Sequence, residues 1–381
     1  WEAGKKLHGR TDARNIYTTT TGAANSQFQL TAPVTNATLQ SLLQAANPNE
    51  ASAIVSYILG NDVKICDNST QTGSKADCTT SSCTVTGETC TPYRNRTVSF
   101  NGALATWKLG DIVNSTPRTA SSVPLNLYHK TYSDHSYENF INSASYKSRG
   151  MVFVGANDGM LHAFKLGTLT QVNDSTPIKA RLGVPKNNSG VDGTAGELGK
   201  ETWAYIPKNV LPYLKYLTDP GYHDNNHLYY VDQTPYVFDA SIGAPGTGDI
   251  SDKTTKNTDP TVWRTILIGG SRLGGASKDF GSTSSYGVNA PASGVGYSSY
   301  FALDVTDPNN PYLMWEFSDT NLTGADKGLG FSTSGPAVVR INGTPSGITN
   351  PSPQTNGHWY VVIGSGPTVP IDKTSSQFKG Y

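Results

Sequence analysis

The chain has 381 residues with 29 basic and 29 acidic side chains, 36% apolar and 15% charged residues, 39 glycines and 20 tyrosines. Balanced charge without a long basic run argues against a nucleic-acid partner, and no apolar stretch approaches the ~20 residues of a membrane-spanning helix. The excess of Gly, Tyr, Ser, Thr and Asn is a poor match to a helical bundle and suits an all-β protein with many turns and long polar loops.

The chain opens at Trp1 without an initiator Met or a leader-like segment and reads as a piece of a longer protein. Residues 1–100 are expected to be irregular, with two short helices. Thr35 or Asn36 can cap the first, whose apolar face is Leu39, Leu42, Leu43 and Ala46. Asn47-Pro48 opens the second in cap-then-proline order and Gly60 closes it. Its apolar positions, Ala51, Ile54, Val55, Ile58 and Leu59, follow the 3.6-residue period of a packing face.

All four cysteines, Cys66, Cys78, Cys83 and Cys90, fall in one polar stretch. Their spacing contains no Cys-x-x-Cys and no nearby His pair, which argues against zinc. Two disulfides stapling a coreless loop are the expected arrangement, and they imply an oxidising compartment. Three pairings are open; sequence proximity favours Cys66–Cys78 with Cys83–Cys90.

From about residue 101 the texture is β. Met151–Val154 and Leu161–Phe164 flank Asn157-Asp158-Gly159, a strong hairpin signal in which both central turn residues would take φ > 0. Looser copies follow. Met151–Gly155, Leu161–Leu166 and Trp203–Ile206 form a first set. Thr265–Gly269, Tyr300–Val305 and Leu313–Phe317 form a second, and Trp359–Gly364 opens a third. Leu228–Val231 and Tyr236–Ala240 are assigned to a blade between the first two sets. Lys208–Leu217 is predicted as a short helix with Val210, Leu211, Leu214 and Leu217 on one face. A repeated apolar hairpin closing on a Trp strand predicts a β-propeller, at roughly 40–50 residues per compact blade. Polar insertions at 173–199, 243–260 and 271–299 cannot pack as cores and should decorate a propeller face. Too few blades are present for a closed ring, so residues 101–381 are expected to be completed by sequence beyond Tyr381.

The string Arg149–Phe164, with Trp107–Pro117 upstream and Tyr300–Pro308 and Leu313–Phe317 downstream, resembles the PilC/PilY family of type IV pilus-associated proteins. The likeness covers the chain and is tightest from Trp107 onward. It implies a modified β-propeller of quinoprotein-like blades in the C-terminal half of a large exported protein. It also implies pilus assembly, opposition to pilus retraction and host-cell attachment from the pilus tip. Pilin or minor pilins and a host-cell receptor are the implied partners, and the periplasm, outer membrane or cell surface the implied location. The family's propeller commonly carries a calcium loop, expected here beyond Tyr381. The nearest local candidates are Asp319, Asn321 and Thr323, with alternating oxygen ligands; Gly330 stands where a bidentate Glu would be needed, so a solvated turn is the simpler reading.

No catalytic constellation emerges, and no enzyme activity is expected. A quinoprotein oxidoreductase would add adjacent cysteines and a cofactor-stacking Trp, whereas Trp203 and Trp315 occupy repeat-equivalent positions that suit core packing. A glycan-binding propeller is the other alternative. His162 lies inside a strand and reads as a satisfied core or channel residue. His223 and His227 flank Asp224-Asn225-Asn226, which suits a turn.

Overall fold

The computed structural model describes residues 2–61, 64–67, 89–172, 175, 177, 179–222, 227–243, 260–275, 294–322, 328–341 and 358–367. In chain order its strands begin with β1 (Ile16–Thr18), β2 (Phe28–Gln29), β3 (Lys64–Asp67), β4 (Thr89–Pro92), β5 (Thr97–Phe100) and β6 (Ala103–Thr106). Then come β7 (Arg118–Ala120), β8 (Met151–Gly155), β9 (Leu161–Lys165), β10 (Leu169–Gln171), β11 (Ala180–Leu182) and β12 (Glu201–Ile206). The last are β13 (Tyr236–Ser241), β14 (Trp263–Gly270), β15 (Ser299–Asp304), β16 (Tyr312–Ser318), β17 (Ala337–Ile341) and β18 (His358–Val362). The helices are α1 (Ala3–His8), α2 (Ala37–Leu42), α3 (Pro48–Leu59), α4 (Tyr128–Thr131), α5 (His135–Asn142) and α6 (Ala144–Ser148), and a 3-10 helix spans Lys208–Thr218. Among the described residues no helix is long and apolar enough to cross a membrane.

The N-terminal helices form where their caps predict. The Asn36 side chain accepts from the Thr38 and Leu39 amides at the start of α2, and that of Asn47 accepts from Glu50 ahead of Pro48 in α3. Ala51, Ile54, Val55 and Ile58 are buried in the same core as the strands. The predicted helix at 208–217 is a 3-10 helix containing Pro212; Pro donates no backbone N–H and crowds the preceding turn. Its Val210, Leu211, Leu214 and Leu217 are all buried.

Two large sheets carry the chain. The first has the order β2-β1-β12-β9-β8-β7, and the second β13-β14-β15-β16. Both repeat sets seen in sequence are therefore real sheets. The β8–β9 hairpin forms with Gly155 opposite Leu161, but its turn differs from expectation. Ala156 N donates to Met160 O at 2.9 Å, which leaves a three-residue loop, Asn157-Asp158-Gly159, and among these only Gly159 takes positive φ, at +95°.

Three assignments need correction. Tyr236–Ser241 is not part of an intervening blade; it pairs with β14 along its whole length and is the first strand of the second sheet. Leu228–Val231 is not a strand, although Tyr230 and Val231 are buried. Trp359–Gly364 does not open a sheet, because His358–Val362 is the partner of Ala337–Ile341, a strand absent from the sequence reading. In each case the local pattern gave a strand or an apolar run correctly but could not name its neighbour.

The N-terminal part is woven into the blades. β1 pairs in parallel with β12, with Ile16 opposite Ala204. The loop that follows caps the outer edge of β16, where Glu316 N donates to Gly22 O and Asn25 N to Leu313 O, both at 2.9 Å. That edge would otherwise present unpaired backbone groups. Between β7 and β8 the chain folds into α4, α5 and α6, which lie against the second sheet. There Tyr128, Tyr137, Phe140 and Tyr146 surround Trp263.

Candidate functional site at the junction of two signature strings

Trp107–Pro117 and Arg149–Phe164 meet in space. Gly110 lies so close to the β8–β9 turn that a Cβ there would sit 2.5 Å from Asp158 N and 2.8 Å from Asp158 Cβ. Gly110 N donates to Asp158 Oδ2 at 2.8 Å. Asn157 N donates to Asp111 O and Asn157 Nδ2 to Asp111 Oδ2, both at 2.9 Å. Further along, Gly155 N donates to Ser115 Oγ, and Asn114 donates to Asp232 through both its backbone and side-chain nitrogens. The Leu-Gly-Asp string is thus clamped onto the Asn-Asp-Gly turn, which explains a glycine at position 110. Gly110→Ala is expected to push the two strings apart at a cost of about 1–3 kcal/mol, read as a lowered thermal midpoint with unchanged far-UV circular dichroism.

Behind the turn lies a closed chain of charges. His162, on β9, is fully buried and donates from Nε2 to Asp158 at 3.1 Å and from Nδ1 to Glu201 Oε1 at 2.7 Å. Arg14 grips Glu201 with two bonds, Nε to Oε2 at 2.8 Å and Nη2 to Oε1 at 2.7 Å. Burial alone would lower the His162 pKa, but Asp158 and Glu201 outweigh it and raise it to about 9. Burial alone would raise that of Glu201, but Arg14 and His162 hold it far below the usual carboxylate range. With both ring nitrogens committed to carboxylates, His162 offers no free base. The cluster is a scaffold, in keeping with the satisfied histidine read from sequence. At the surface, Asp111 is desolvated, but bonds from His227 (3.0 Å) and Asn157 lower its pKa. His223 lies outside the described residues.

Asp319 and Asn321, two of the candidate cation ligands, lie on one short turn. Asn321 Oδ1 accepts from Ser318 N at 2.8 Å and caps a single 3-10 turn, Asp319–Asn321. Thr323 lies outside the described residues. Among the described residues no group of three or more His, Cys, Asp or Glu side chains could hold a metal ion. Trp203 is fully buried against Phe153, and its Nε1 donates to Pro308 O, as core packing predicts. Trp315 is half-buried and packs beside the second sheet's core.

Arg14, Glu201, Asp239 and Glu316 were missed as structural centres. The available signal was a lone carboxylate inside an apolar strand, as in Glu201-Thr-Trp-Ala-Tyr-Ile206, Tyr236-Val-Phe-Asp239-Ala and Leu313-Met-Trp-Glu316-Phe. A charge in such a run must be paired when it is buried. Glu316 joins both sheets, accepting from Tyr205 Oη at 2.5 Å and from Lys208 N at 2.9 Å. Desolvation dominates there and raises its pKa to about 7, the Tyr205 and Lys208 donors opposing. A carboxyl whose pKa is higher folded than unfolded favours the fold when protonated. Its contribution is therefore greatest below about pH 4.5 and is lost as pH rises towards 7. Glu316→Gln keeps an acceptor for both donors and should shrink the drop in thermal midpoint between pH 5 and pH 8.

Two sheets built mainly of antiparallel strands, in each of which an apolar strand pairs with an aromatic-Ala strand and that with a Trp strand, are blades of a β-propeller. Residues 109–280 match the PilY1 beta-propeller domain. The chain belongs to the PilY1 family. It is 30% identical over 268 residues to the type IV pilus biogenesis factor PilY1 of Pseudomonas aeruginosa strain PAK, covering 70% of this chain and 16% of that protein. A PilY1 homolog of Xylella fastidiosa is 28% identical over 273 residues, covering 68% of this chain and 12% of the relative. The chain thus spans under a fifth of the length of these relatives. The crystal structure of the Pseudomonas aeruginosa PilY1 C-terminal domain aligns at 26% identity with 66% of this chain and 32% of that one, with a TM-score of 0.34.

Proposed function

We propose that this chain is the propeller portion of a type IV pilus biogenesis factor that also acts as a pilus-tip adhesin, opposing retraction and attaching to host cells. The reading is carried by the 30% identity over 268 residues to a protein named for pilus biogenesis. It is supported by the clamp between Trp107–Pro117 and Arg149–Phe164, which fixes a rim loop rigidly enough to present Ile112 and Val113 to solvent. Contact with pilin or minor pilins and with a host receptor is protein–protein recognition and needs no catalytic group. The place of action is the periplasm, outer membrane or cell surface. Deleting the propeller should abolish surface pili in a retraction-competent strain and spare them in a retraction-deficient one; normal piliation in both rejects the role.

An oxidising location also predicts the state of the cysteines. The backbone register sets Cys66 directly opposite Cys90 across β3 and β4, within the Cα separation a disulfide spans. Cys78 and Cys83 lie outside the described residues. That register favours Cys66–Cys90 with Cys78–Cys83 nested inside it, in place of the proximity pairing. Non-reducing peptide mapping should recover a peptide joining 66 to 90; a 66–78 peptide would restore the proximity pairing.

A further inference from the structure

We propose that the cleft between the end of α3 and the Leu-Gly-Asp clamp binds a small carboxylate, with Arg94 as its anchor. The cleft has a volume of about 110 Å³ and is lined by Tyr57, Arg94, Arg96, Trp107, Asp111 and Asp158 among others. That is room for several waters or a compact organic anion.

Arg94 is held rigidly but is not neutralised. Its backbone N donates to Thr218 O at 2.7 Å and its Nε to Tyr57 Oη at 3.0 Å, and its guanidinium carbon stands 4.6 Å from the centre of the Tyr222 ring. Among the described residues its two terminal nitrogens meet no acceptor and it has no carboxylate partner. The opposing charges are already spoken for. Asp158 is held by His162 and Gly110 N, and Asp111 by His227 and Asn157. Arg96 stacks 3.5 Å over Tyr57 on the same wall. A planar fork of donors held against an aromatic wall suits a carboxylate, which it can bind with two parallel bonds. Asp111 and Asp158 across the cleft disfavour a phosphate, which brings nearly twice the negative charge.

The carboxylate could come from a free small acid or from the end of a polypeptide, and the test separates them. It does not depend on the pilus reading. The whole chain is titrated at constant ionic strength with acetate, with N-acetyl-glycyl-glycine and with the amide of that peptide. Binding is followed calorimetrically and by the emission of Trp107, read against a Trp107→Phe control. Saturable binding of both acids and none of the amide is expected. Arg94→Gln should weaken binding at least about tenfold and Arg94→Lys by less, since Lys keeps the charge but not the fork. Binding of the peptide acid alone would assign the site to a chain terminus. Absence of saturable binding by either acid, binding of the amide as tight as the acid, or undiminished binding by a folded Arg94→Gln protein overturns the proposal.

Discussion

Glu201→Ala is expected to be the most damaging single substitution in the first sheet. The carboxylate has no exposed surface, and it is the shared partner of Arg14, which is 2% exposed, and His162, which is fully buried. Removing it strands Arg14 in the interior and leaves His162 with Asp158 as its one carboxylate partner. Breaking a buried ion pair from one side costs about 3–5 kcal/mol, because the remaining charge keeps its desolvation penalty. The thermal midpoint should fall by roughly 5 °C. Glu201→Gln, which keeps the shape and one acceptor, should cost less. The same cluster sets a pH window. The Glu201 pKa is lowered on folding, so its contribution is present above the ordinary carboxylate value and is lost as pH falls below it. The His162 pKa is raised to about 9, so its contribution is complete below about pH 6.5 and disappears as pH rises through 9. Stability from this cluster should therefore plateau between about pH 4.5 and 6.5. His162→Gln should flatten the alkaline limb and leave the acid limb in place. Melting curves across pH decide both points, and an unchanged alkaline limb would show that His162 is not ionised in the fold.

Asp239→Ala is expected to loosen the helical insertion while leaving the blades standing. Asp239 is fully buried on β13. Its Oδ2 accepts from Tyr137 Oη at 2.7 Å and Tyr146 Oη at 2.9 Å, and its Oδ1 from Thr265 Oγ1 at 2.6 Å, with Arg149 Nη1 3.9 Å away. Desolvation, reinforced by the neighbouring carboxylate, pushes the pKa of Tyr137 far above the ordinary phenol range. Tyr137 therefore remains a donor at any working pH. Without the carboxylate, two phenol hydroxyls lose their shared acceptor and Arg149 its counter-charge. The cost is again about 3–5 kcal/mol, concentrated where α5 and α6 meet the second sheet. Trp263 reports it, since it lies 4.6 Å from the Tyr137 ring centre and donates to Ser136 Oγ. Its emission should shift to longer wavelength, and limited proteolysis should cut first within 121–148. Cleavage spread evenly over both sheets would show that Asp239 supports the blades rather than the insertion.

Much of this architecture was legible in the chain. The caps at Asn36 and Asn47, the apolar stripe of α3 and the strands on both sides of Asn157-Asp158-Gly159 all follow from patterns within about ten residues. The buried, satisfied state of His162 followed from its place in an apolar strand, and the family from two short strings. Less legible were the elements whose signal is weak or shared. Residues 128–148 are rich in Tyr, Ser and Asn and carry little helical periodicity, yet three helices form because Tyr128, Tyr137, Phe140 and Tyr146 have Trp263 to pack against. The Asp319-x-Asn321 spacing would serve a cation loop or a turn equally well, and a backbone amide took the Asn321 oxygen.

By itself the sequence determined several of the strands and helices and where some of them start, because capping, turn chemistry and side-chain alternation act between near neighbours. Only the tertiary structure decided that β1 runs parallel beside β12, that β13 joins the second sheet, and that Arg14 answers Glu201 across 187 positions. Those outcomes turn on which distant partner satisfies a strand edge or a buried charge, and every unpaired edge and every lone carboxylate looks alike until the chain has brought its partner to it.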